Sequence, residues 1–309
     1  MLIKGADLLV DGSVALAKRY SISNLVIGLT IVGFGTSAPE LVVNIMSAVS
    51  GTTDLAIGNI IGSNIANVFL ILGICAAIYP LTVQKNTVFK EIPLSLLAAL
   101  VTFIFASDVI IDAGHGASLN SITRIDGLVL LSFFAIFMYY IFGIAKSSGD
   151  AGAEIEVKQL STLKIVLYIV GGLIGLVIGG AWIVDGAVII AQFMGISESV
   201  IGLTIVAIGT SLPELATSIS ATLKRQADIA VGNIVGSNIF NIFWILGLSA
   251  VISPLPLQNN SLIDFVFLIA SSLLLFVIMF IGKRHTIDRW QGWLFIAIYV
   301  MYIALFFVR

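Results

Sequence analysis

The sequence GFGTSAPE, at residues 33–40, places a proline and a carboxylate inside a long apolar run. The stretch AIGTSLPE, at residues 207–214, repeats this pattern in the second half of the chain. A second motif follows each of them, GNIIGSNIAN at residues 58–67 and GNIVGSNIFN at residues 232–241. The chain therefore carries one polar signature twice, each time within apolar surroundings.

These motifs belong to an internal duplication. A shift of 174 residues aligns residues 11–81 with residues 185–255 without a gap, and 38 of the 71 aligned positions are identical. Such identity far exceeds chance, so the two halves are expected to share one architecture.

The composition around the motifs is that of a membrane protein. Of the 309 residues, 59% are hydrophobic and 10% are charged, and the mean hydropathy is +1.12. A soluble domain carries about a quarter charged residues, so a water-exposed globular protein is excluded. The net charge of −2 does not favour a nucleic-acid partner. The single cysteine, Cys75, excludes a disulfide framework, and the two histidines lie too far apart to suggest a histidine metal site.

Hydrophobic runs of about 20 residues predict an all-α membrane protein with ten transmembrane helices. The expected spans cover residues 1–19, 21–50, 55–80, 88–106, 126–145, 160–194, 196–223, 228–254, 261–282 and 290–308. Residues 1–145 form the first five-helix repeat, residues 146–159 a cytoplasmic linker, and residues 160–309 the second repeat. Because the sixth span begins near Leu160, its counterpart would begin about 14 residues before Met1, so the first helix is expected to be either truncated at its start or simply shorter than the sixth.

Basic residues predict the orientation. With the N-terminus outside, 12 of the 15 lysines and arginines fall on the cytoplasmic side, as the positive-inside rule requires. We therefore expect a multi-pass protein of the cell membrane with both termini extracytoplasmic. Because each half has an odd number of spans, the halves are predicted to have inverted topologies, an architecture of many secondary transporters.

Glu40 and Glu214 are the candidate site because both lie deep in apolar spans. A carboxylate at the bilayer centre costs about 2.5–3.5 kcal/mol on insertion scales. A pseudo-two-fold axis would bring the two together, where their repulsion is relieved if a cation lies between them. Ca²⁺, which prefers six to eight oxygen ligands, suits such a site.

The residues around these glutamates supply further oxygen ligands. Pro39 and Pro213 have no N–H, which frees the carbonyls of Gly35 and Gly209 from the helical ladder. Side-chain oxygens are expected from Thr36, Ser37, Ser63, Thr210, Ser211 and Ser237 and from the amides of Asn67 and Asn241. Purely oxygen ligands favour sodium, calcium or magnesium over zinc or copper. Interhelical hydrogen bonding is an alternative role for Asn67 and Asn241. The other motif asparagines, Asn59, Asn64, Asn233 and Asn238, are interpreted as structural.

The doubled motifs GTSAPE with GSNIAN and GTSLPE with GSNIFN resemble the two alpha repeats of the cation/calcium exchanger (CaCA) superfamily, above all its prokaryotic sodium/calcium exchangers. The resemblance covers essentially the whole chain. It implies ten helices and alternating access, with Na⁺ and Ca²⁺ competing for one mid-membrane site. The family's calcium ligands correspond to the side chains of Glu40 and Glu214 and the carbonyls of Thr36 and Thr210.

The flanking sodium sites of the family correspond to Ser37, Ser63, Ser211 and Ser237, with carbonyls from Gly33 and Ala207. Its central amide position corresponds to Asn67 and Asn241. Several relatives carry Asp where this chain has Asn241, which makes potassium dependence and a proton role at this position less expected. The large calcium-sensing domain of animal exchangers is absent from this sequence.

The leading functional prediction is a sodium/calcium antiporter that acts as a monomer, without cofactor and without enzymatic activity. A proton/calcium exchanger is the first alternative, and a passive cation channel and an intramembrane enzyme are more remote. The long sixth span carries Gly171, Gly175 and Gly179 at four-residue spacing. This spacing predicts a smooth face on which the first and sixth spans slide.

Overall fold

A computed structural model describes residues 1–111, 120–147, 160–194, 207–257 and 261–308, and it is helical nearly throughout. The first half contains α1 (Leu2–Tyr20), α2 (Asn24–Thr36), α3 (Ala38–Ser50), α4 (Thr53–Ile78), α5 (Thr87–Phe105), the short α6 (Asp108–Ile111) and α7 (Arg124–Ser147). The second half contains α8 (Thr162–Phe193), α9 (Ala207–Thr210), α10 (Leu212–Leu223), α11 (Ala227–Ile252), α12 (Ser261–Ile278) and α13 (Arg289–Val308).

These helices confirm the predicted all-α membrane architecture of ten spans in two inverted five-helix repeats. Among the described residues, α4, α5, α7, α8 and α11 are each long and apolar enough to cross a membrane, and the bent pair α2–α3 adds a sixth span. Helices α12 and α13 contribute shorter apolar segments, at Ile263–Ile278 and Arg289–Leu305. Residues 196–206 of the expected seventh span and 148–159 of the linker lie outside the described residues, and the boundaries of the two halves remain a prediction.

The central helices of the two halves form the core. In the apolar segments of α4 and α11, 78% and 83% of the residues are buried, against 17% in α7 and in α8. Both helices also contain a π-helical turn, Asn67–Leu72 in α4 and Phe240–Leu246 in α11. Such turns are frequent at functional sites because they shift the side chains that follow them.

The second span of each half breaks at the proline motif. Helix α2 ends at Thr36 and α3 begins at Ala38, with a bend of 47° between them. Ser37 lies at the junction with a non-helical backbone, and Ser211 lies at the equivalent junction of α9 and α10. Because Pro39 and Pro213 cannot donate to the preceding turn, the helix restarts with a proline in its first turn.

Two short antiparallel ladders agree with the inverted topology. Strand β1 (Leu81–Thr82) pairs with β4 (Thr286–Ile287), and β2 (Ser121–Ile122) pairs with β3 (Leu255–Pro256). The ten-span topology places β1 and β4 on one side of the membrane and β2 and β3 on the other. Each ladder therefore joins two loops that the topology assigns to the same side.

Helices α1 and α8 pack through glycines. A methyl group added at Gly172 would lie 2.7 Å from the Leu9 main-chain nitrogen and 2.8 Å from the Gly5 carbonyl oxygen. One added at Gly179 would lie 2.5 Å from the Leu2 nitrogen. These distances require glycine because the backbone of α1 occupies the space.

The glycine face differs from the predicted one by a single residue. A methyl group at Gly171 would meet no atom within 4 Å, whereas Gly175 faces Gly5. The expectation for Gly175 and Gly179 is confirmed, and that for Gly171 is wrong because Gly172 faces α1 instead. A helix turns once in 3.6 residues, so a strict four-residue spacing drifts away from a straight contact line.

We predict that Gly172→Ala lowers thermal stability, because its methyl group must push the backbones of α1 and α8 apart. Overpacking of this kind typically costs about 1–3 kcal/mol. Thermal unfolding of the purified protein would measure the effect. The neighbouring Gly171→Ala is the matched control, because its methyl group enters open space. Equal behaviour of the two variants would contradict the assignment of the packing face.

Candidate functional site

The two helix breaks bring Glu40 and Glu214 into one buried region. Each glutamate lies in the first turn after its break, and each is 1% exposed. The N-terminal end of a helix carries a partial positive charge that favours a carboxylate. The carbonyl ends of α2 and α9 meet the same region, so each break presents a carboxylate beside main-chain oxygens.

Serine hydroxyls link each glutamate to the other half. Ser37 Oγ donates to Glu214 Oε1 over 2.9 Å, and Ser211 Oγ donates to Glu40 Oε1 over 3.3 Å. The donors lie in the junctions of the opposite breaks, so the hydrogen bonds cross the pseudo-two-fold axis. The two carboxylates are therefore held near each other by side chains from both halves.

The serines of the second motif extend this network. Ser211 Oγ also contacts Ser63 Oγ at 3.2 Å. Ser237 Oγ lies 3.2 Å from the Gly33 carbonyl oxygen and 3.3 Å from Glu214 Oε1. Helices α4 and α11 thus bring hydroxyl oxygens to the breaks.

Four asparagines form a reciprocal amide cluster between α4 and α11. Asn67 Nδ2 donates to Asn238 Oδ1 over 2.9 Å, and Asn241 Nδ2 donates to Asn64 Oδ1 over 2.9 Å. Asn64 and Asn238 in turn donate to each other's main-chain carbonyls, over 3.1 Å and 3.4 Å. The amide nitrogens of Asn67 and Asn241 are therefore used within the cluster, and their oxygens remain available.

Four buried oxygens at this site accept no hydrogen bond from the described residues. They are Glu40 Oε2, Glu214 Oε2, Asn67 Oδ1 and Asn241 Oδ1. They come in two symmetric pairs, one carboxylate and one amide oxygen from each half. Buried oxygens without a donor are costly, and hard cations such as Na⁺ and Ca²⁺ are the partners that satisfy such oxygens.

The charge at the site has no basic counterpart. Among the described residues, no lysine or arginine side chain is buried. The described part of the chain also contains no group of three or more His, Cys, Asp and Glu residues placed to hold a metal. Any bound cation would therefore meet two carboxylates and otherwise neutral oxygens.

The structure brings nearly all of the sequence-predicted residues into one connected region. Besides the glutamates and Gly33, the hydrogen-bonded region contains Thr36, Ser37, Ser63, Thr210, Ser211 and Ser237. Asn67 and Asn241 lie four residues beyond Ser63 and Ser237 on α4 and α11, in the buried amide cluster. Ala207 begins α9, one turn before Thr210. That these residues are ion ligands stays a prediction.

The other motif asparagines lie closer to the site than the sequence indicates. Asn59 and Asn233 each accept a hydrogen bond from a threonine at a helix break, and Asn64 and Asn238 orient the central amides. The available signal was their recurrence at matched positions of the repeat. Their structural interpretation agrees with these contacts, which place them directly beside the candidate ligands.

Comparison with known proteins agrees with this geometry. Residues 1–143 and 164–308 match the family described as sodium/calcium exchanger protein. The sodium/calcium exchanger MaX1 of Methanosarcina acetivorans is 32% identical over 99% of this chain and 95% of its own length. The putative antiporter CaxA of Alkalimonas amylolytica is 36% identical over 99% of this chain and 95% of its own.

A solved structure has the same architecture. The sodium-calcium exchanger NCX_Mj, soaked with 2.5 mM Na⁺ and 10 mM Sr²⁺, superimposes with a TM-score of 0.83 at 36% sequence identity. The alignment covers 98% of this chain and 94% of that protein.

We predict that Ser237→Ala weakens cation binding about tenfold, because it removes a hydroxyl oxygen that lies beside both Glu214 Oε1 and the Gly33 carbonyl and is placed to ligate a cation. Titration calorimetry with Na⁺ and Ca²⁺ would measure it. Ser249→Ala is the matched control on the same helix, since the equally buried Ser249 hydroxyl donates only to the Ile245 carbonyl in the hydrogen bonds described. A larger loss in the control than in Ser237→Ala would contradict the site.

Proposed function

The chain belongs to the sodium/calcium exchanger family and is a sodium/calcium antiporter of the membrane, and we propose that exchange occurs at the site between the two helix breaks. The observation that carries this proposal is the symmetric set of four buried acceptor oxygens on Glu40, Glu214, Asn67 and Asn241. Each half contributes the same pair, so one cation between the halves could contact ligands from both.

Charge balance explains why the two ions exclude each other. Two ionised carboxylates carry two negative charges, which one Ca²⁺ or two Na⁺ would neutralise. Because no described basic side chain is buried, the charge must be balanced mainly by the transported ions. A site without a cation, or with both kinds at full occupancy, would leave uncompensated charge in a low-dielectric environment. Competition between the ions is the basis of exchange.

The ligand chemistry distinguishes the two kinds of ion. We propose that Ca²⁺ binds both carboxylates together with the carbonyls of Thr36 and Thr210. Such a set of hard oxygens from both halves suits its high coordination number. We propose that Na⁺ binds at flanking positions made by the motif serines, with the carbonyls of Gly33 and Ala207. These flanking sites use the same carboxylates, so Na⁺ occupancy displaces Ca²⁺.

Burial favours an exchanger over a channel. Glu40 and Glu214 are each 1% exposed, and Ser63 and Ser237 are buried with them. Alternating access requires such occlusion, whereas a passive channel requires a continuous wet path across the membrane. Sodium is favoured over protons as the coupling ion because hydroxyl oxygens surround the carboxylates.

We also propose an orientation in the membrane and an oligomeric state. Both termini face the extracytoplasmic side of the cell membrane, following the distribution of basic residues. All the proposed ligands come from one chain, so we propose that a monomer suffices for exchange. The family is one of transporters, and no enzymatic step or cofactor is part of the proposed mechanism.

We predict that proteoliposomes loaded with Na⁺ take up radioactive Ca²⁺ when diluted into Na⁺-free buffer, and that Glu214→Gln lowers this uptake at least about 100-fold. The substitution removes one of the two carboxylates that would balance the bound cation. Removing one partner of a buried ion pair typically costs about 3–5 kcal/mol. Initial uptake rates would be measured with imposed Na⁺, K⁺ or proton gradients, with and without a proton uncoupler.

Glu91→Gln is the matched control for this experiment. Glu91 is equally buried, but it lies in α5 and accepts its hydrogen bond from Tyr140. This variant should retain sodium-driven uptake. Uptake driven by protons alone would replace the proposal with a proton/calcium exchanger, and calcium flux without any counter-ion would replace it with a channel.

A further inference from the structure

Two buried asparagines outside the proposed ligand set contact the helix breaks. Asn59 and Asn233 occupy equivalent positions of the two halves, four residues before Ser63 and Ser237. They are 2% and 0% exposed. Neither has a role in the exchange described above, and both bond across the interface between the halves.

Each asparagine accepts a hydrogen bond from the threonine of the opposite break. Thr36 Oγ1 donates to Asn233 Oδ1 over 3.0 Å, and Thr210 Oγ1 donates to Asn59 Oδ1 over 3.2 Å. Thr36 and Thr210 are the last helical residues before their breaks. The central helix of one half therefore holds the carbonyl end of the broken span of the other half.

A chain of amides fixes the direction of these bonds in the first half. Asn44 Nδ2 donates to the Ala56 carbonyl over 3.1 Å, so its Oδ1 is left to accept. Asn59 Nδ2 donates to that oxygen over 2.8 Å. Because the amide nitrogen of Asn59 is used in this way, its oxygen faces Thr210 and can only accept a proton.

In the second half, a different side chain orients the Asn233 amide in the same way. Asn233 Nδ2 donates to Ser218 Oγ over 2.9 Å and approaches the Glu214 main-chain oxygen at 3.4 Å. Ser218 occupies the position equivalent to Asn44. Although the supporting side chain differs, Asn233 again presents its oxygen to the threonine of the opposite break.

The direction matters because a hydroxyl has a single proton. The threonine hydroxyls lie in the same buried region as the carboxylates, since Thr36 and Thr210 precede Glu40 and Glu214 by four residues and all four side chains are buried. A proton donated to a carboxylate would occupy a lone pair that a cation needs. A proton committed to the asparagine leaves the carboxylate oxygens to the ion.

We propose that Asn59 and Asn233 are positioning residues that direct the threonine hydroxyl protons away from the carboxylates and hold the carbonyl ends of both breaks in place. This role rests on the proposed function, since it presumes that cations bind at the breaks. Ca²⁺ contacts both breaks at once, so the loss of either asparagine weakens calcium binding.

The first test is equilibrium binding of radioactive Ca²⁺ to the purified full chain, with Na⁺ as competitor. Asn59→Ala should weaken calcium binding about tenfold, because it removes a buried hydrogen bond and leaves Asn44 without its donor. Asn24→Ala is the matched control, since Asn24 also bridges the halves, through Gln226 over 2.9 Å, but lies away from the breaks. Asn44→Ser, which reproduces the partner used in the second half, should bind Ca²⁺ within about twofold of the unmodified chain.

A double-mutant cycle separates positioning from general packing. Thr210→Val removes the hydroxyl and keeps the main-chain carbonyl. Combined with Asn59→Ala, it should weaken calcium binding little more than either change alone, because both remove the same hydrogen bond. Effects that simply multiply would overturn the positioning role. The equivalent cycle with Asn233→Ala and Thr36→Val provides the test in the other half if a variant does not fold.

The proposed function and the positioning role of the asparagines are overturned by different results. If the unmodified chain binds no sodium-displaceable Ca²⁺, the proposed function is overturned. If it binds Ca²⁺ normally and the cycles are additive, only the positioning role of the asparagines is overturned.

Discussion

The burial of two carboxylates at the helix breaks dictates how the polar groups around them are arranged. Glu40 and Glu214 are each 1% exposed, and no described lysine or arginine is buried with them. Their negative charge must be stabilised inside the membrane by hydroxyls, amides, helix ends and a bound cation. The helix breaks, the motif serines and the asparagine cluster each supply one kind of stabilising group.

Because the chain is duplicated, each half can supply hydrogen-bond donors to the carboxylate of the other half. Ser37 stabilises Glu214 and Ser211 stabilises Glu40, so each break is completed by the opposite half. The asparagine cluster between α4 and α11 repeats this reciprocity. A site built across two halves can respond to relative movement between them. The close packing of α1 on α8, where glycines let the backbones meet, provides an additional helix pair beside this core.

Much of this organisation could be predicted from sequence because its signals are local. Apolar runs predict the spans, prolines predict the breaks, and a carboxylate within an apolar run marks the site. The contacts of Asn59 and Asn233 with the threonines of the opposite breaks could not be predicted, because those threonines lie more than 150 residues away in the sequence. It could not be predicted either that Gly172 rather than Gly171 packs against α1, because this depends on how the two helices cross.

The decisive measurement is the position of a bound divalent cation. Crystals of the full chain grown with Sr²⁺ in low Na⁺ would locate the ion by its anomalous scattering. We expect one dominant peak between the carboxylates of Glu40 and Glu214, which weakens as Na⁺ is raised. A dominant peak elsewhere, for example beside the buried Glu91, or a peak between the two glutamates that Na⁺ does not displace, would contradict this expectation.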